Sequence, residues 1–356
     1  MNKNVIKFNK DPYIISEIGI NHNGYLSLVK KLIKSSVEAG ADAVKFQKRD
    51  VIDLVNDQSK LKKAKGYLSK NVKDINHKSP KFGAWTYPDI RLELSYNDYI
   101  KIKEYCSKLK VDLVVTPWDE RSVDFLVNLG VKYLKIASID AVNYHFCEYV
   151  AKKRKPTIIS TGMSTYNEIL KTQKIFNKFK TPHIFLHCTS AYPSENKDKN
   201  LNCIPKMRKI LREDVGFSGH GIGSVGAAGA VTLGAKVVEK HVTLSRKMLG
   251  PDHAASLEFN EFSEMTKLVR GIKDALGSEN KKFLKSEKIL HDVLIRKFVT
   301  RKDVSKNDKI NFDNVKTAVT YSKSGILPKD YYKILNKKFK KDIKSGSVFK
   351  FEDLKS

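Results

Sequence analysis

The chain has 356 residues, of which 41% are hydrophobic and 30% charged, and its formal net charge is +28. No apolar run approaches the roughly 20 residues needed to cross a bilayer, and residues 1–4 do not open a signal peptide, so we expect a cytoplasmic protein without a membrane partner. The lysines are spread along the whole chain, which argues against a nucleic-acid partner and leaves attraction of an anionic substrate as the alternative to a solvated surface.

Apolar runs that close on or contain a polar residue recur along the first two thirds of the chain. They are Ile14–Glu17, Ala43–Gln47, Leu113–Thr116, Tyr133–Ile136, Thr157–Ser160, Ile184–His187, Val215–Ser218 and Lys236–Glu239. Stretches with helical periodicity lie between most of these runs, beginning with Leu26–Ala39, which stops at Gly40. Strands that alternate with helices and carry polar residues at their ends predict a (β/α)8 TIM barrel with an active site on its C-terminal rim.

The barrel is predicted to occupy residues 1–278. Residues 50–92 interrupt its pattern with a long polar, lysine-rich segment after the second strand, which predicts a lid or binding loop on the catalytic rim. A helix-like linker over Glu279–Ile295 follows, whose core, residues 279–293, separates the barrel from a small, mostly β domain at 294–356.

Two histidines follow the predicted strands seven and eight. His220 and His241 would lie on one edge of the barrel mouth, where two imidazoles can hold a divalent metal with open positions for substrate oxygens. A histidine pair alone is more often structural, but Glu17 arrives from strand one, which is adjacent once the barrel closes. We therefore favour a metal site.

Lysines and hydroxyl groups accompany the histidines at the strand ends. Lys45 and Lys135 lie inside strands, where a buried ammonium group needs an anionic partner. That partner can be a bound anion or a carboxylate of the protein itself. A third interpretation is a lysine that forms a Schiff base with its substrate. The hydroxyl groups have helix capping as their simpler interpretation. They belong to Thr116, Ser138, Ser160, Thr161, Thr189, Ser190 and Ser218. Together these residue types suit a small, highly anionic ligand such as a phosphate ester.

The segment Gly221–Gly226 matches the dinucleotide-binding pattern G-x-G-x-x-G after a strand and before a helix. That fingerprint normally begins its sheet, whereas here most strand units precede it. We expect a helix N-terminus beside the barrel mouth rather than a nucleotide site.

Several ordered motifs resemble the N-acetylneuraminate (sialic acid) synthase family over about residues 12–275. They are Glu17–Gly24, Ala39–Gln47, Ser160–Met163, His187–Pro193, Phe217–His220, Glu239–His241 and Gly250–Ser256. The tail, through Lys306–Ile310 and Asp330–Leu335, resembles the C-terminal antifreeze-like (SAF) domain of that family.

The resemblance implies condensation of phosphoenolpyruvate with an open-chain N-acylated amino sugar, which yields a nine-carbon 2-keto acid and phosphate. It implies a catalytic set of Glu17, Lys135, His220 and His241, in which both histidines hold a divalent metal, Mn or alternatively Mg or Co. Glu17 matches a carboxylate that handles the attacking water. The positions that match phosphoenolpyruvate-binding residues are Lys45, Thr116, Lys135, Ser138, Ser160 and Ser218, and those that match sugar-binding residues are Gln47, Ser190, Tyr192 and Asp252.

One stretch departs from the family pattern. Family members often carry an Arg-Pro-Gly turn in the small domain, whose arginine reaches the site of the partner subunit, whereas this chain reads Tyr321–Gly325 there, with Lys323 as the available cation. The resemblance implies a domain-swapped homodimer. It leaves open N-acetylmannosamine, a diacetamido sugar and a 6-phosphorylated sugar as substrates, and a related condensing barrel or a catalytically silent sugar-binding barrel as alternatives.

Overall fold

A computed structural model describes residues 4–50, 54 and 92–356, so the predicted lid at 50–92 lies almost wholly outside the described residues. The chain divides into two compact units, Met1–Gly277 and Ser278–Ser356. The strands of the first unit are β1 (Tyr13–Gly19), β2 (Ala43–Lys48), β3 (Asp112–Pro117), β4 (Tyr133–Ile136), β5 (Thr157–Ser160), β6 (His183–Cys188), β7 (Val215–Gly219), β8 (Val237–Thr243) and β9 (Leu257–Glu258). Its described helices of more than one turn are α1 (Leu26–Glu38), α2 (Tyr96–Lys108), α3 (Glu120–Leu129), α4 (Tyr144–Lys152), α5 (Tyr166–Lys178), α6 (Cys203–Leu211), α7 (Val225–Thr232) and α8 (Phe259–Leu276).

The first eight strands form a closed parallel barrel. They pair in chain order, and β8 pairs back to β1 through a register that sets Glu17 opposite His241. The two-residue β9 pairs in parallel with the last two residues of β8, Val242 and Thr243. The predicted (β/α)8 barrel is confirmed.

Helix α5 shows how the outer layer forms. Thr165 caps it, because its hydroxyl accepts from the backbone N–H of Glu168 while the Glu168 carboxylate accepts from the backbone N–H of Thr165. Its buried Ile169, Gln173 and Phe176 are spaced three and four residues apart, so they share the face that packs on the barrel.

Alternate residues of each strand point to opposite faces of the sheet, so every second side chain points into the barrel. On β1, Ile14 packs in the cluster between strands and helices, whereas Ile15 belongs to a second cluster inside the barrel. Side chains two residues apart share a face of a strand, so Glu17 stands one layer above Ile15, and Lys45 stands above Ala43 on β2. Apolar residues therefore fill the lower barrel, and polar residues fill its C-terminal mouth.

The second unit is small and held by its own core. It contains α9 (Lys288–Leu294), β10 (Arg296–Thr300), β11 (Val315–Val319), α10 (Tyr331–Ile334), β12 (Lys338–Phe339) and β13 (Leu354–Lys355). β10 pairs antiparallel with β11, and β12 with β13, around a buried cluster that includes Phe298, Phe339 and Phe349. The predicted helix-like linker is wrong in extent, since apart from a 3-10 turn at Lys285–Glu287 only α9 is helical there, where Ile289 and Leu290 are exposed instead of packed.

Among the described residues, none of the helices combines the length and the apolar character needed to span a membrane.

Candidate active site

The C-terminal ends of the barrel strands surround a cavity of about 300 Å³. The residues that the family resemblance assigns to the site line it, with the exception of Asp252, whereas Thr161 and Thr189, two of the predicted hydroxyl groups, do not. The lining consists of Glu17, Lys45, Gln47, Thr116, Trp118, Lys135, Ala137, Ser138, Ile139, Ser160, Met163, Ser190, Tyr192, Ser218, His220, Glu239 and His241. Residues from every strand of the barrel, or from the loop that follows it, thus meet at one mouth, as the alternation of strand faces requires.

Both predicted lysines contact carboxylates of the protein. Lys45 Nζ lies 2.9 Å from Glu17 Oε2 and 3.6 Å from Glu239 Oε1, and Lys135 Nζ lies 3.7 Å from that same Glu239 oxygen. All four side chains are at most 5% exposed, so these ion pairs are poorly screened by solvent. The ion-pair interpretation of the buried lysines is therefore correct.

Burial and mutual attraction shift the pKa values of this cluster. Burial raises the pKa of Glu17, although Lys45 opposes the rise. Burial also disfavours the charged forms of Lys45 and Glu239. For Lys45 the attraction of Glu17 and then of Glu239 outweighs burial, so its pKa is raised. For Glu239 the attraction of Lys135 and then of Lys45 outweighs burial, so its pKa is lowered. Burial lowers the pKa of Lys135 despite the attraction of Glu239. Lys45 and Glu239 thus form the firmly charged part of the site.

Glu239 was not among the predicted site residues. Its position near the end of β8, on the face of His241, was visible in the sequence, but its two lysine partners come from β2 and β4 and meet it only across the closed barrel.

The hydroxyl groups of the mouth bind site residues instead of capping helices. Lys135 Nζ donates to Ser160 Oγ at 2.6 Å, Lys45 Nζ donates to Thr116 Oγ1 at 3.2 Å, and Ser218 Oγ donates to Glu239 Oε1 at 3.1 Å. The N-caps of the helices that follow these strands are other residues, namely Asp119, Asn143, Thr165 and Ser224. The capping interpretation is wrong for these hydroxyls.

Gly162 brings two of the hydroxyls close to the backbone. Its N–H donates to Ser138 Oγ at 3.0 Å. A Cβ atom at this position would lie 2.9 Å from Ser138 Oγ and 2.2 Å from Ser190 Oγ, so a side chain here requires both serines to move.

The two predicted metal ligands lie side by side, with their ring centroids 5.5 Å apart. His220 Nδ1 lies 2.9 Å from the carbonyl oxygen of Thr189, which as a pure acceptor favours the proton on Nδ1 and leaves Nε2, 2.9 Å from Tyr192 Oη, for coordination. Burial holds the pKa of His241 well below its ordinary value, and its Nδ1 is buried without a hydrogen-bond partner among the described residues.

These two imidazoles fit a divalent metal. A neutral imidazole is the form that binds a metal, and a backbone carbonyl that orients the ring is the usual outer support. Within the part of the chain that the structure describes, no three His, Cys, Asp or Glu side chains are grouped to hold a metal, so further coordination positions would go to water or substrate oxygens.

Asp252 stands beside the cavity and close to two of its residues. A Cβ atom on Gly19, whose φ is +56°, would lie 3.2 Å from Glu17 Oε1, 3.3 Å from Gln47 Nε2 and 3.4 Å from Asp252 Oδ2. The three polar side chains therefore converge on the glycine that ends β1. Burial raises the pKa of Asp252, and Arg49 opposes that rise.

Sequence reasoning missed the apolar part of the lining, which includes Trp118 and Met163. Both lie in loops, where no periodicity marks a residue as facing a cavity. In the second unit, Tyr321 and Lys323, the residues at the departure from the family pattern, are exposed.

Comparison with known proteins was made for the whole chain. The sequence model of the NeuB family matches residues 32–281. The N,N'-diacetyllegionaminic acid synthase of Legionella pneumophila is 33% identical, over 97% of this chain and 95% of that protein. The N-acetylneuraminate-9-phosphate synthase of Mus musculus is 32% identical, over 97% of this chain and 93% of that protein.

A crystal structure supports the same relationship. The N-acetylneuraminic acid (sialic acid) synthetase of Leptospira borgpetersenii, solved in complex with citrate, superposes with a TM-score of 0.66 and 29% identity, covering 79% of this chain and 90% of that one. The family model, the full-length relatives and the superposed barrel agree, and the resemblance inferred from the motifs is confirmed: this chain belongs to the NeuB family.

Proposed function

We propose that this NeuB-family enzyme condenses phosphoenolpyruvate with an N-acylated amino-hexose, N-acetylmannosamine or a close relative, to give a nine-carbon 2-keto sugar acid and phosphate. The observation that supports it best is one cavity in which two buried lysines and several hydroxyl groups face a pair of imidazoles. The lysines and hydroxyl groups suit a small anion, and the imidazoles suit a metal that binds an aldehyde oxygen.

The anionic substrate is assigned to the lysine side of the cavity. Lys45 and Lys135 supply positive charge, and Thr116, Ser138, Ser160 and Ser218 supply hydroxyl donors around them. Because the cluster is buried, its attraction for phosphate and carboxylate oxygens is weakly screened. These residues hold phosphoenolpyruvate so that its carbon 3 faces the aldehyde bound across the cavity.

Bond formation and water addition follow from that placement. Carbon 3 of phosphoenolpyruvate bonds to the aldehyde carbon, water adds at carbon 2, and phosphate leaves as the C–O bond breaks, so one water is consumed for each phosphate released. Glu17, whose pKa is raised by burial, is placed beside Lys45 to take a proton from that water. A divalent ion, Mn or alternatively Mg or Co, held by His220 and His241, would supply Lewis-acid polarisation of the aldehyde.

The sugar is assigned to the opposite part of the mouth, where Gln47, Ser190 and Tyr192 line the cavity and Asp252 adjoins it. A diacetamido hexose and a hexosamine 6-phosphate are the alternative substrates, because one relative is named for N,N'-diacetyllegionaminic acid and another for a 9-phosphate product. The small domain is proposed to be an SAF domain that serves the site of the partner subunit in a domain-swapped homodimer.

Phosphate release from phosphoenolpyruvate tests the proposal. The protein is supplied with Mn and, in separate reactions, N-acetylmannosamine, its 6-phosphate and a 2,4-diacetamido hexose. Release with one sugar supports the reaction and identifies the substrate. Absence of release with all three, from folded protein that binds phosphoenolpyruvate, contradicts the proposed set of sugars. Absence of phosphoenolpyruvate binding contradicts the reaction class and favours a silent sugar-binding barrel.

A further inference from the structure

Arg49 directly follows β2 and is 1% exposed, yet it is not among the residues that line the cavity. Its Nε lies 3.2 Å from Glu93 Oε1, and its backbone N–H donates to Glu93 Oε2 at 3.2 Å. The guanidinium carbon lies 5.2 Å from the ring centroid of Trp118, within cation–π range. A guanidinium group held by a carboxylate and an aromatic ring has little freedom to move.

Another nitrogen of this guanidinium contacts a residue that lines the cavity. Arg49 Nη2 donates to Gln47 Oε1 at 2.9 Å, and Gln47 Nε2 donates to Glu17 Oε1 at 3.1 Å. A guanidinium can only donate hydrogen bonds, and an ionised carboxylate can only accept them. Both neighbours therefore require the same orientation of the amide, with its oxygen toward Arg49 and its nitrogen toward Glu17.

That orientation determines what Gln47 can offer a ligand. Its oxygen is engaged by Arg49, and one of its two N–H groups is engaged by Glu17, so the second N–H is the group left for the cavity that Gln47 lines. A ligand group at this position must be an acceptor, such as an acyl carbonyl or a hydroxyl oxygen.

We propose that Arg49 is a positioning residue that holds the Gln47 amide as a hydrogen-bond donor toward the sugar. The inference rests on the proposed function, because it concerns how the same site selects its sugar. Without Arg49, the amide oxygen loses its buried donor, and only the hydrogen bond to Glu17 still holds the amide in this orientation. The remaining N–H of Gln47 is then held less firmly toward an acceptor on the sugar.

A double-mutant cycle with Arg49→Met and Gln47→Leu tests the inference, with phosphate release as the assay. Arg49→Met is expected to raise KM for the sugar about 10-fold, the effect of one hydrogen bond, while KM for phosphoenolpyruvate stays within about two-fold. In the Gln47→Leu background the same change is expected to have less than about a two-fold further effect, since Arg49 acts through Gln47. Equal losses in both backgrounds, or an unchanged KM for the sugar, would overturn the inference.

Two further variants separate positioning from general stability. Glu93→Gln removes the charge that holds Arg49 and is expected to raise KM for the sugar in the same direction by a smaller factor, about three-fold. Arg270→Met is the matched control, because Arg270 Nη2 binds both carboxylate oxygens of Asp42, at 2.9 and 3.0 Å, at the opposite end of β2. It is expected to lower the melting temperature and leave KM for the sugar unchanged. If Arg270→Met also raised KM for the sugar, loss of an ion pair at either end of β2 would have the same effect, and this would contradict a specific role of Arg49.

The wild-type protein separates this inference from the proposed function. If it releases no phosphate with any of the three sugars, the proposed function is contradicted before any variant is compared. If it turns over and Arg49→Met keeps the wild-type KM for the sugar, only the positioning role is contradicted.

Discussion

Glu239 Oε1 lies 3.7 Å from Lys135 Nζ, and both side chains are buried at the barrel mouth. The same carboxylate oxygen lies 3.6 Å from Lys45 Nζ, so one acidic group stands between two ammonium groups that would otherwise repel each other. The lysines can therefore remain together in the absence of substrate, and both ammonium groups are already in place when an anion enters.

Replacing Glu239 by Gln should lower the free energy of unfolding. The amide keeps the size of the side chain and can still accept from Ser218, but two buried ammonium groups lose a counter-charge. Loss of one partner of a buried ion pair typically costs about 3–5 kcal/mol, and the isosteric amide should place Glu239→Gln near the lower end of this range. Denaturant unfolding measures the change. Glu38→Gln is the control, since the exposed pair of Glu38 with Lys34 contributes less than about 1 kcal/mol. Equal stabilities for the two variants would contradict the role of Glu239.

Glu17→Gln should separate proton transfer from binding. The variant keeps a group that can accept from Gln47 but cannot take a proton from water. General-base catalysis typically contributes about 10²- to 10⁴-fold, and a loss of kcat in this range is expected while phosphoenolpyruvate still binds. Steady-state kinetics together with calorimetric titration of phosphoenolpyruvate measure the two effects. A variant with wild-type kcat would remove Glu17 from the catalytic step.

Gly162→Ala should weaken phosphoenolpyruvate binding. The added Cβ atom would lie 2.2 Å from Ser190 Oγ and 2.9 Å from Ser138 Oγ, so the hydroxyl groups must move from their positions in the cavity. KM for phosphoenolpyruvate is expected to rise about 10-fold, which corresponds to the loss of one hydrogen bond from Ser138. Gly271→Ala is the matched control, because a Cβ atom there meets nothing within 4 Å and should stabilise α8 by up to about 1 kcal/mol. An unchanged KM for phosphoenolpyruvate in Gly162→Ala would show that Ser138 does not bind it.

The barrel and much of the site could be predicted from the sequence because both depend on local alternation. In a strand with an apolar first half and a polar end, such as β1 with Ile15 and Glu17, the pattern alone predicts which side chain faces the barrel mouth. His220 and His241 could be paired because they lie near the ends of neighbouring strands. Glu239 was recognisable as a strand-end charge, but its contact with Lys135 depends on side-chain reach across the barrel.

The residues that sequence reasoning missed are held by contacts that no local pattern encodes. Arg49 binds Glu93, which follows a long insertion, and Trp118 approaches the same guanidinium from the loop after β3. Neither residue has the periodic spacing that marked the strand ends. Their importance becomes visible only when the three segments are brought together.

Acidification should destabilise the protein through two buried histidines outside the cavity lining. Burial lowers the pKa of His253 to about 4, and burial together with the charge of Arg49 lowers the pKa of His22 to about 3, against about 6.5 in an unfolded chain. The unfolded state then binds more protons below pH 6.5. Stability is therefore full above this pH and is lost as the pH falls toward 4 and 3.

Denaturant unfolding between pH 7 and pH 4 measures this dependence. Each histidine contributes a slope of up to about 1.4 kcal/mol per pH unit in that window. His253→Gln is expected to reduce the slope, because it removes one of the two buried histidines whose pKa is lowered in the folded protein. A slope that is identical in wild-type protein and His253→Gln would contradict the assignment.

Removal of a divalent metal should abolish phosphate release without unfolding the barrel. Chelation is expected to eliminate activity, and Mn, or Mg or Co in its place, is expected to restore it, because the proposed reaction depends on Lewis-acid polarisation of the aldehyde. His241→Ala removes one of the two imidazoles and should weaken Mn binding, measured directly by electron paramagnetic resonance, by at least about 100-fold. His187→Gln is the control, since His187 Nε2 lies 2.7 Å from the carbonyl oxygen of Lys199 and its side chain does not line the cavity. Wild-type Mn affinity in His241→Ala would place the metal elsewhere, and full activity after chelation would contradict the metal-dependent reaction.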